Sequence, residues 1–301
     1  MPMRTGPFSN LLAPGYRKIY FDDLRERKAE WNVVLNMQTS TRNYEDDYRM
    51  TSFNSFPVKP EGESIEYLEP TPGGTKRYSW TAHGAGFRIT FEMYQDDLYK
   101  VTGPRMTKEL STSATYQLEV DNWGILNDAF TGATYTGFDG LALCSTAHTR
   151  LDGGTNQANK PSTDLDLSIT ALQAAYVNIA GWKNDVGRLT LHTPKLLVIS
   201  PDQAFVAEEI LKSEYKPFTS DNEINSIRNL MNMSYFVGHY LTDTDAWFIF
   251  CGEHDMNHFW RNRPMFQNDD DFDSGDAKFK GYYREGRGFG RWQGIYASSG
   301  G

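Results

Sequence analysis

The sequence predicts an α+β fold, and three features carry that prediction. Two runs near residues 76–94 alternate apolar and polar residues, a helical stripe extends over 95–130, and helices mix with buried strands over 160–250. A chain of 301 residues, 39% hydrophobic and 14% aromatic, can bury a substantial core. No internal repeat of fixed period is present.

Residues 1–55 read as an arm around one helix. Tyr20, Leu24, Lys28 and Trp31 share a stripe with Phe21 and Val34 nearby, and Arg25, Arg27 and Glu30 face away. The flanks are polar or broken by Pro and Gly, so the arm has too little apolar surface to fold alone. It must lie on something larger. Over 56–94, the four Pro and three Gly of FPVKPEGESIEYLEPTPGG disfavour regular structure at its start. Tyr78, Trp80 and Ala82 then share one face of KRYSWTA, and in GFRITFEMY Phe87, Ile89, Phe91 and Met93 alternate with Arg88, Thr90 and Glu92. The intervening HGAG predicts a turn, hence a hairpin. A lone two-stranded hairpin is marginal in water, so a further sheet or a second chain must complete it.

Over 95–130, Met106, Leu110, Ala114 and Leu118 recur every four residues, and Leu98, Val101, Ile125 and Leu126 extend the stripe. Such a helix would reach roughly 50 Å. Gly103-Pro104 predicts a kink or a restart, because proline removes a donor and crowds the preceding turn. Further on, a helix from Ser168 carries Ile169, Leu172, Tyr176 and Ile179, and PKLLVIS is a buried strand. Ser200-Pro201-Asp202-Gln203 supplies an N-cap, a first-turn proline and a capping-box partner for a helix burying Phe205, Val206 and Ile210. Another helix carries Ile224, Ile227 and Leu230. AWFIFC is a second buried strand, and KFKGYYREGRGFGRWQGIY reads as a strand ending in turns.

The formal charge of −9 argues against a dedicated nucleic-acid binder, which needs Lys and Arg to neutralise phosphates. Two cysteines make no disulfide framework. The start, MPMRTGPFSN, lacks the apolar core of a signal peptide, and no apolar run approaches the ~20 residues that span a bilayer. The expectation is a soluble protein with no membrane partner.

Candidate chemistry is thin. Cys251, His254 and His258 form the best metal set, with Cys144 and His148 able to join by folding, but no second Cys-x-x-Cys pair supports a closed zinc site. Asp269, Asp270, Asp271 and Asp273 suggest a calcium loop, yet the sixth and twelfth positions hold Ser274 and Lys280 instead of Gly and Glu. Gly286, Gly288 and Gly290 resemble a phosphate loop, but no helix can open after them, so close backbone approach is the better reading. Cys144 or Ser145 beside His148 lacks an orienting group. No catalytic residue, resident metal or cofactor is expected.

Three segments resemble those of tailed-bacteriophage major capsid (head) proteins: PGGTKRYSWTAHGAGFRITFEMYQDDLY at 72–99, YTGFDGLALCSTAHTRLDGGTNQAN at 135–159, and PKLLVISPDQAFVAEEILKSEYKPFTSDNEINSIRN at 194–229. NDDDFDSGDAKFKGYYREGRGFGRWQGIY gives a weaker echo. The resemblance implies an N-terminal arm (1–55), an E-loop hairpin (56–94), a P-domain with a long spine helix (95–150), an A-domain (151–252), and a returning P-domain strand with a tail (253–301). It also implies self-assembly as hexamers and pentamers into an icosahedral shell around phage double-stranded DNA. The E-loop would reach over a neighbouring subunit, making Tyr78, Trp80, Arg88 and Phe91 candidate interface residues. Portal, scaffolding and decoration proteins would be further partners, with assembly in the host cytoplasm and residence in the virion capsid. Three alternatives stand beside this: an encapsulin-like nanocompartment shell, a metal-dependent enzyme using Cys251, His254 and His258, and an elongated soluble binding protein.

Overall fold

The computed structural model describes residues 8–217, 223–271 and 273–301, with side chains from residue 12. Residues 1–7 of the expected arm, and 218–222 within the third resembling segment, lie outside the described residues. In chain order the elements are α1 (Phe8–Glu26), β1 (Asn36–Thr39), β2 (Glu45–Met50), β3 (Pro72–Tyr78), β4 (Thr81–Ile89), α2 (Phe91–Gln95) and α3 (Tyr99–Asn127). Then follow α4 (Ile169–Ala180), β5 (Pro194–Ile199), α5 (Ala204–Lys212), α6 (Ser226–Leu230), β6 (Ser234–Val237), β7 (Trp247–Cys251), β8 (Met256–Asp270), β9 (Ala277–Phe289) and β10 (Ile295–Ser298). Mixed helices and sheets make the fold α+β. The chain divides into two units, each discontinuous in sequence: unit 1 takes 1–45, 78–122 and 258–287, and unit 2 takes 46–77, 123–257 and 288–301.

Unit 1 is built on a sheet of order β1-β8-β9-β4. Tyr16 and Tyr20 of α1 are buried with Ile89, Phe266, Ala277 and Phe279, so the arm's apolar stripe is covered by its own chain. The ring of Tyr16 meets Phe279 edge-on at 5.2 Å, and Phe87 stacks on Phe279 at 5.2 Å. The helix expected to run through Trp31 ends at Glu26, and Trp31 instead opens a separate 3-10 turn. The Glu119 carboxylate fixes that turn by accepting the amides of Glu30 (2.7 Å) and Trp31 (3.1 Å).

The hairpin expected around HGAG is not formed. His83, Gly84, Ala85 and Gly86 lie inside β4, which runs antiparallel to β9 with Ala82 opposite Arg284 and Gly86 opposite Lys280. Gly86 is there for proximity: a Cβ would sit 2.5 Å from the Phe279 carbonyl oxygen. The strand stops at Ile89 because Thr90 accepts the Met93 amide (3.3 Å) and caps α2, which takes Phe91 and Met93 out of the expected alternation. The two-stranded ribbon of the molecule lies earlier. It pairs β2 with β3 and is closed by residues 51–71.

Helix α3 is continuous through Gly103-Pro104 and about 43 Å long at 1.5 Å per residue. Pro104 stands in the second turn and forfeits a single intrahelical bond. Gly103 has a packing reason: a Cβ would fall 1.9 Å from the Tyr16 hydroxyl. The buried positions of α3 include Gly103, Thr107, Ser111 and Asn122 beside Leu118, and Ser111 Oγ donates to the Tyr20 carbonyl at 3.2 Å. Leu98 and Val101, expected on the buried stripe, are exposed, Val101 by 80%. Small and polar residues face the tyrosines of α1, so the apolar periodicity misplaces the first turns.

Unit 2 is built on a sheet of order β10-β7-β5-β6, with β5 parallel to β6 and antiparallel to β7. Its core joins Leu172, Ala175 and Ile179 of α4 to Ala207, Ile210 and Leu211 of α5 and to Leu197, Ile199, Trp247 and Ile249 of the strands. Ser168 caps α4 as expected, accepting the Ala171 amide at 3.2 Å. The capping box at Ser200 does not form: Ser200 Oγ donates to the Thr244 carbonyl and Gln203 Nε2 to the Asp245 carbonyl. Phe205, expected inside, is 82% exposed, and of the α6 trio only Ile227 is buried. In the tail, β9 and β10 are strands. Gly286 and Gly290 make room for rings, since a Cβ would lie 2.5 Å from Trp80 and 2.4 Å from Phe138 respectively. The acidic run turns β8 into β9, with Asp271 paired to Lys278.

Candidate assembly surfaces

The ribbon in unit 2 has a rigid root and an uncovered tip. At the root, Arg77 grips Asp46 with two bonds of 2.7 Å, and Arg49, itself buried, pairs with Asp185 and donates to the Thr149 carbonyl. The Thr51 amide donates to the Thr71 carbonyl (3.0 Å), and the Thr71 amide to Thr51 Oγ1 (2.7 Å). Beyond that pair, four prolines and glycines prevent regular pairing, yet the segment carries Phe53, Phe56, Val58, Ile65 and Tyr67, all exposed. Phe56 and Tyr67 are 93% and 92% exposed. Large apolar side chains clustered in water on one short segment mark a contact surface. Sequence reading located the segment but not its contact residues. Their signal is apolar residues set among Pro and Glu where no element exists to bury them.

The four hairpin residues separate into two pairs. Tyr78 is buried against Phe259 (4.9 Å), and Trp80 is half-buried, its indole N–H donating to the Arg42 carbonyl at 2.9 Å. Both serve the interior of unit 1. Arg88 and Phe91 are exposed, with Arg88 3.9 Å from Asp276, whose carboxylate also accepts the Phe91 amide at 3.3 Å. In unit 2, Val177, Leu191, Phe205 and Leu230 add further exposed apolar side chains.

Cys251, His254 and His258 are not brought together. Among the described residues, the only set of His, Cys, Asp or Glu donors close enough to share an ion is His83, Asp121 and Glu285. The Cys251 thiol is buried in β7 and pushed up to about 12 by burial, and His254 lies edge-on to Phe250 at 5.3 Å. His258 belongs to unit 1, where its Nδ1 meets Asn122 Oδ1 (2.8 Å) and Glu285 Oε2 (3.2 Å). Burial and then Arg287 push the imidazole down to about 3. Burial likewise pushes the Glu285 carboxyl up to about 7, against the pull of Arg287.

His148 is held in a polar knot of unit 2. Its Nδ1 meets Asp139 Oδ2 at 2.6 Å, its Nε2 meets Asn159 Oδ1 at 3.0 Å, and its ring stacks on Trp292 at 4.6 Å. Asn159 in turn donates to the carbonyls of Leu143 and Ile295. Both imidazole nitrogens are committed, so neither can take a proton from Cys144 or Ser145. The Cys144 thiol is itself buried and raised by that burial. These contacts build structure and leave no nucleophile–base pair here.

Among the described residues, no helix is long and apolar enough to cross a membrane. The phage capsid protein family model matches residues 74–298. Solved structures share the fold at low identity. The procapsid of bacteriophage JBD30 is 14% identical, with a TM-score of 0.52 over 98% of this chain and 75% of that chain. The capsid of Myoviridae phage XM1 is 12% identical, with a TM-score of 0.50 over 91% and 93%. The capsid of the native GTA particle is 10% identical, with a TM-score of 0.54 over 90% of each chain. Comparison with curated proteins gives no significant sequence match. Matched by one family over most of its length, and folded as capsid subunits are, the chain belongs to the phage capsid protein family as a major capsid protein, a subunit of the shell.

Proposed function

We propose that the chain forms hexamers and pentamers that close into an icosahedral shell around double-stranded phage DNA. Assembly takes place in the host cytoplasm with portal, scaffolding and decoration proteins as partners, and the chain has no catalytic role. The observation that carries this reading is the 51–71 tip, whose Phe56 and Tyr67 stand almost wholly in water. Covering an aromatic side chain of that size contributes about 1.5–3 kcal/mol, and a closed ring repeats each such contact around its axis. The tip therefore lies on a neighbouring subunit. Arg88 and Phe91 add to the contact surface, while Tyr78 and Trp80 anchor β3 and β4 from within. A net charge of −9 lets the wall enclose DNA without trapping it. The family match favours a phage head over an encapsulin-like compartment.

Replacing residues 53–69 by a short Gly-Ser linker tests the assignment. The variant should stay folded and soluble, because the bonds at Thr51 and Thr71 and the Arg77–Asp46 pair lie outside the deletion. Negative-stain microscopy should then find no closed particles. Shells of wild-type size from this variant would overturn the role given to the tip.

A further inference from the structure

His83 of β4, Asp121 of α3 and Glu285 of β9 converge within unit 1, each placing one donor atom within 4.8 Å of the others. His83 Nε2 and Asp121 Oδ2 stand 3.3 Å apart, both shielded from solvent and both without a hydrogen-bond partner. That distance is long for an N–H···O bond. It is close to the roughly 3.4 Å between two ligands of a tetrahedral ion held at 2.0–2.2 Å. Tyr283, 3% exposed, stacks its ring on His83 at 5.0 Å, and its hydroxyl is a third buried polar atom without a partner. Burial, and then the charges of Glu285 and Asp121, push that hydroxyl up from its ordinary range. Arg287 holds the far edges of the two carboxylates, Asp121 Oδ1 at 3.2 Å and Glu285 Oε1 at 2.8 Å. Glu285 Oε2 has only longer contacts, to His258 Nδ1 (3.2 Å) and Asn122 Nδ2 (3.4 Å). One guanidinium thus faces two carboxylates, which leaves room on their other oxygens for a second cation. His83 and Tyr283 also line a cavity of about 210 Å³ together with Gln117 among others.

We propose that His83, Asp121 and Glu285 bind one divalent transition-metal ion of zinc-like preference, with the Tyr283 hydroxyl or a water as fourth ligand. One imidazole with two carboxylates is a donor set that such ions accept. The ion would clamp three elements distant in sequence: β4 just after the ribbon, the spine helix α3, and the returning strand β9. It would stabilise the subunit without taking part in any reaction.

The test uses the full-length chain, stripped with chelator and titrated with Zn²⁺ by calorimetry, with Co²⁺ absorption as a spectroscopic readout. One Zn²⁺ per chain and a raised melting temperature are expected. His83→Gln and Asp121→Asn should each weaken binding by at least the roughly 10–100-fold known for loss of outer-shell partners, while His254→Ala should bind as the wild type does. No stoichiometric uptake by the wild-type chain would overturn the proposal, as would unchanged affinity in both variants. If the variants do not fold, the wild-type Co²⁺ spectrum decides. Nitrogen and oxygen coordination supports the site, and a thiolate charge-transfer band would place the ion on Cys144 or Cys251 and overturn it.

Discussion

Asp139, His148 and Asn159 show at the scale of single residues what the 135–159 segment is for. The Asp139–His148 pair is buried, with both side chains at most 4% exposed, and it pins a stretch that has few regular elements of its own. Asp139→Asn should cost about 2–3 kcal/mol in urea unfolding, because it takes the carboxylate out of a buried hydrogen-bonded pair. Burial alone would raise the Asp139 carboxyl, but the hydrogen bond and charge of His148, the Leu141 amide and Arg49 together hold it below the ordinary carboxylate range. A carboxyl depressed in the folded state stabilises above its unfolded value of about 3.9 and ceases to do so as pH falls through the folded value. Wild-type stability should therefore drop below about pH 4, and Asp139→Asn should flatten that drop, as acid titration of the unfolding free energy would read. The sequence drew attention to Asp139 through His148 only by family resemblance. Its chemistry stayed hidden because Asp139, His148 and Asn159 meet within an irregular stretch that has no periodic signal, and Trp292, on which the imidazole stacks, comes from the far end of the chain.

Elements were legible where a single face decides them. α4, β5 and β7 form where the pattern puts them, since Leu172, Ile179, Leu197 and Ile249 meet one core. The reading failed where a partner far along the chain decides. HGAG looks like a turn locally, but β9, nearly two hundred residues later, recruits it into a strand and needs Gly86 for close approach. In α3, Gly103 looked like a break and is instead a socket for Tyr16. Alanine in place of glycine inside a helix ordinarily stabilises by about 1 kcal/mol. Gly103→Ala should instead destabilise by about 1–3 kcal/mol through overpacking, as thermal unfolding would measure. A gain in stability would show that α1 does not hold Tyr16 there.

For the whole molecule, the resembling segments carried the family, and composition excluded rivals without naming a function. What the sequence could not display is that each unit is assembled from three separated stretches, so that α3, β8 and β9 each contribute residues to both. The five-part division by sequence order is what the resemblance implies, and packing groups the chain into two units. The candidate contact surface was only half legible. Its position between Pro-rich flanks was visible, but that Phe56, Val58, Ile65 and Tyr67 stay uncovered follows only once each sheet's own core is known to be complete without them. Cryo-electron microscopy of the purified full-length chain tests the central claim most directly: uniform closed shells with the 51–71 tip covered by an adjacent subunit are predicted, and dispersed monomers at high concentration would contradict it.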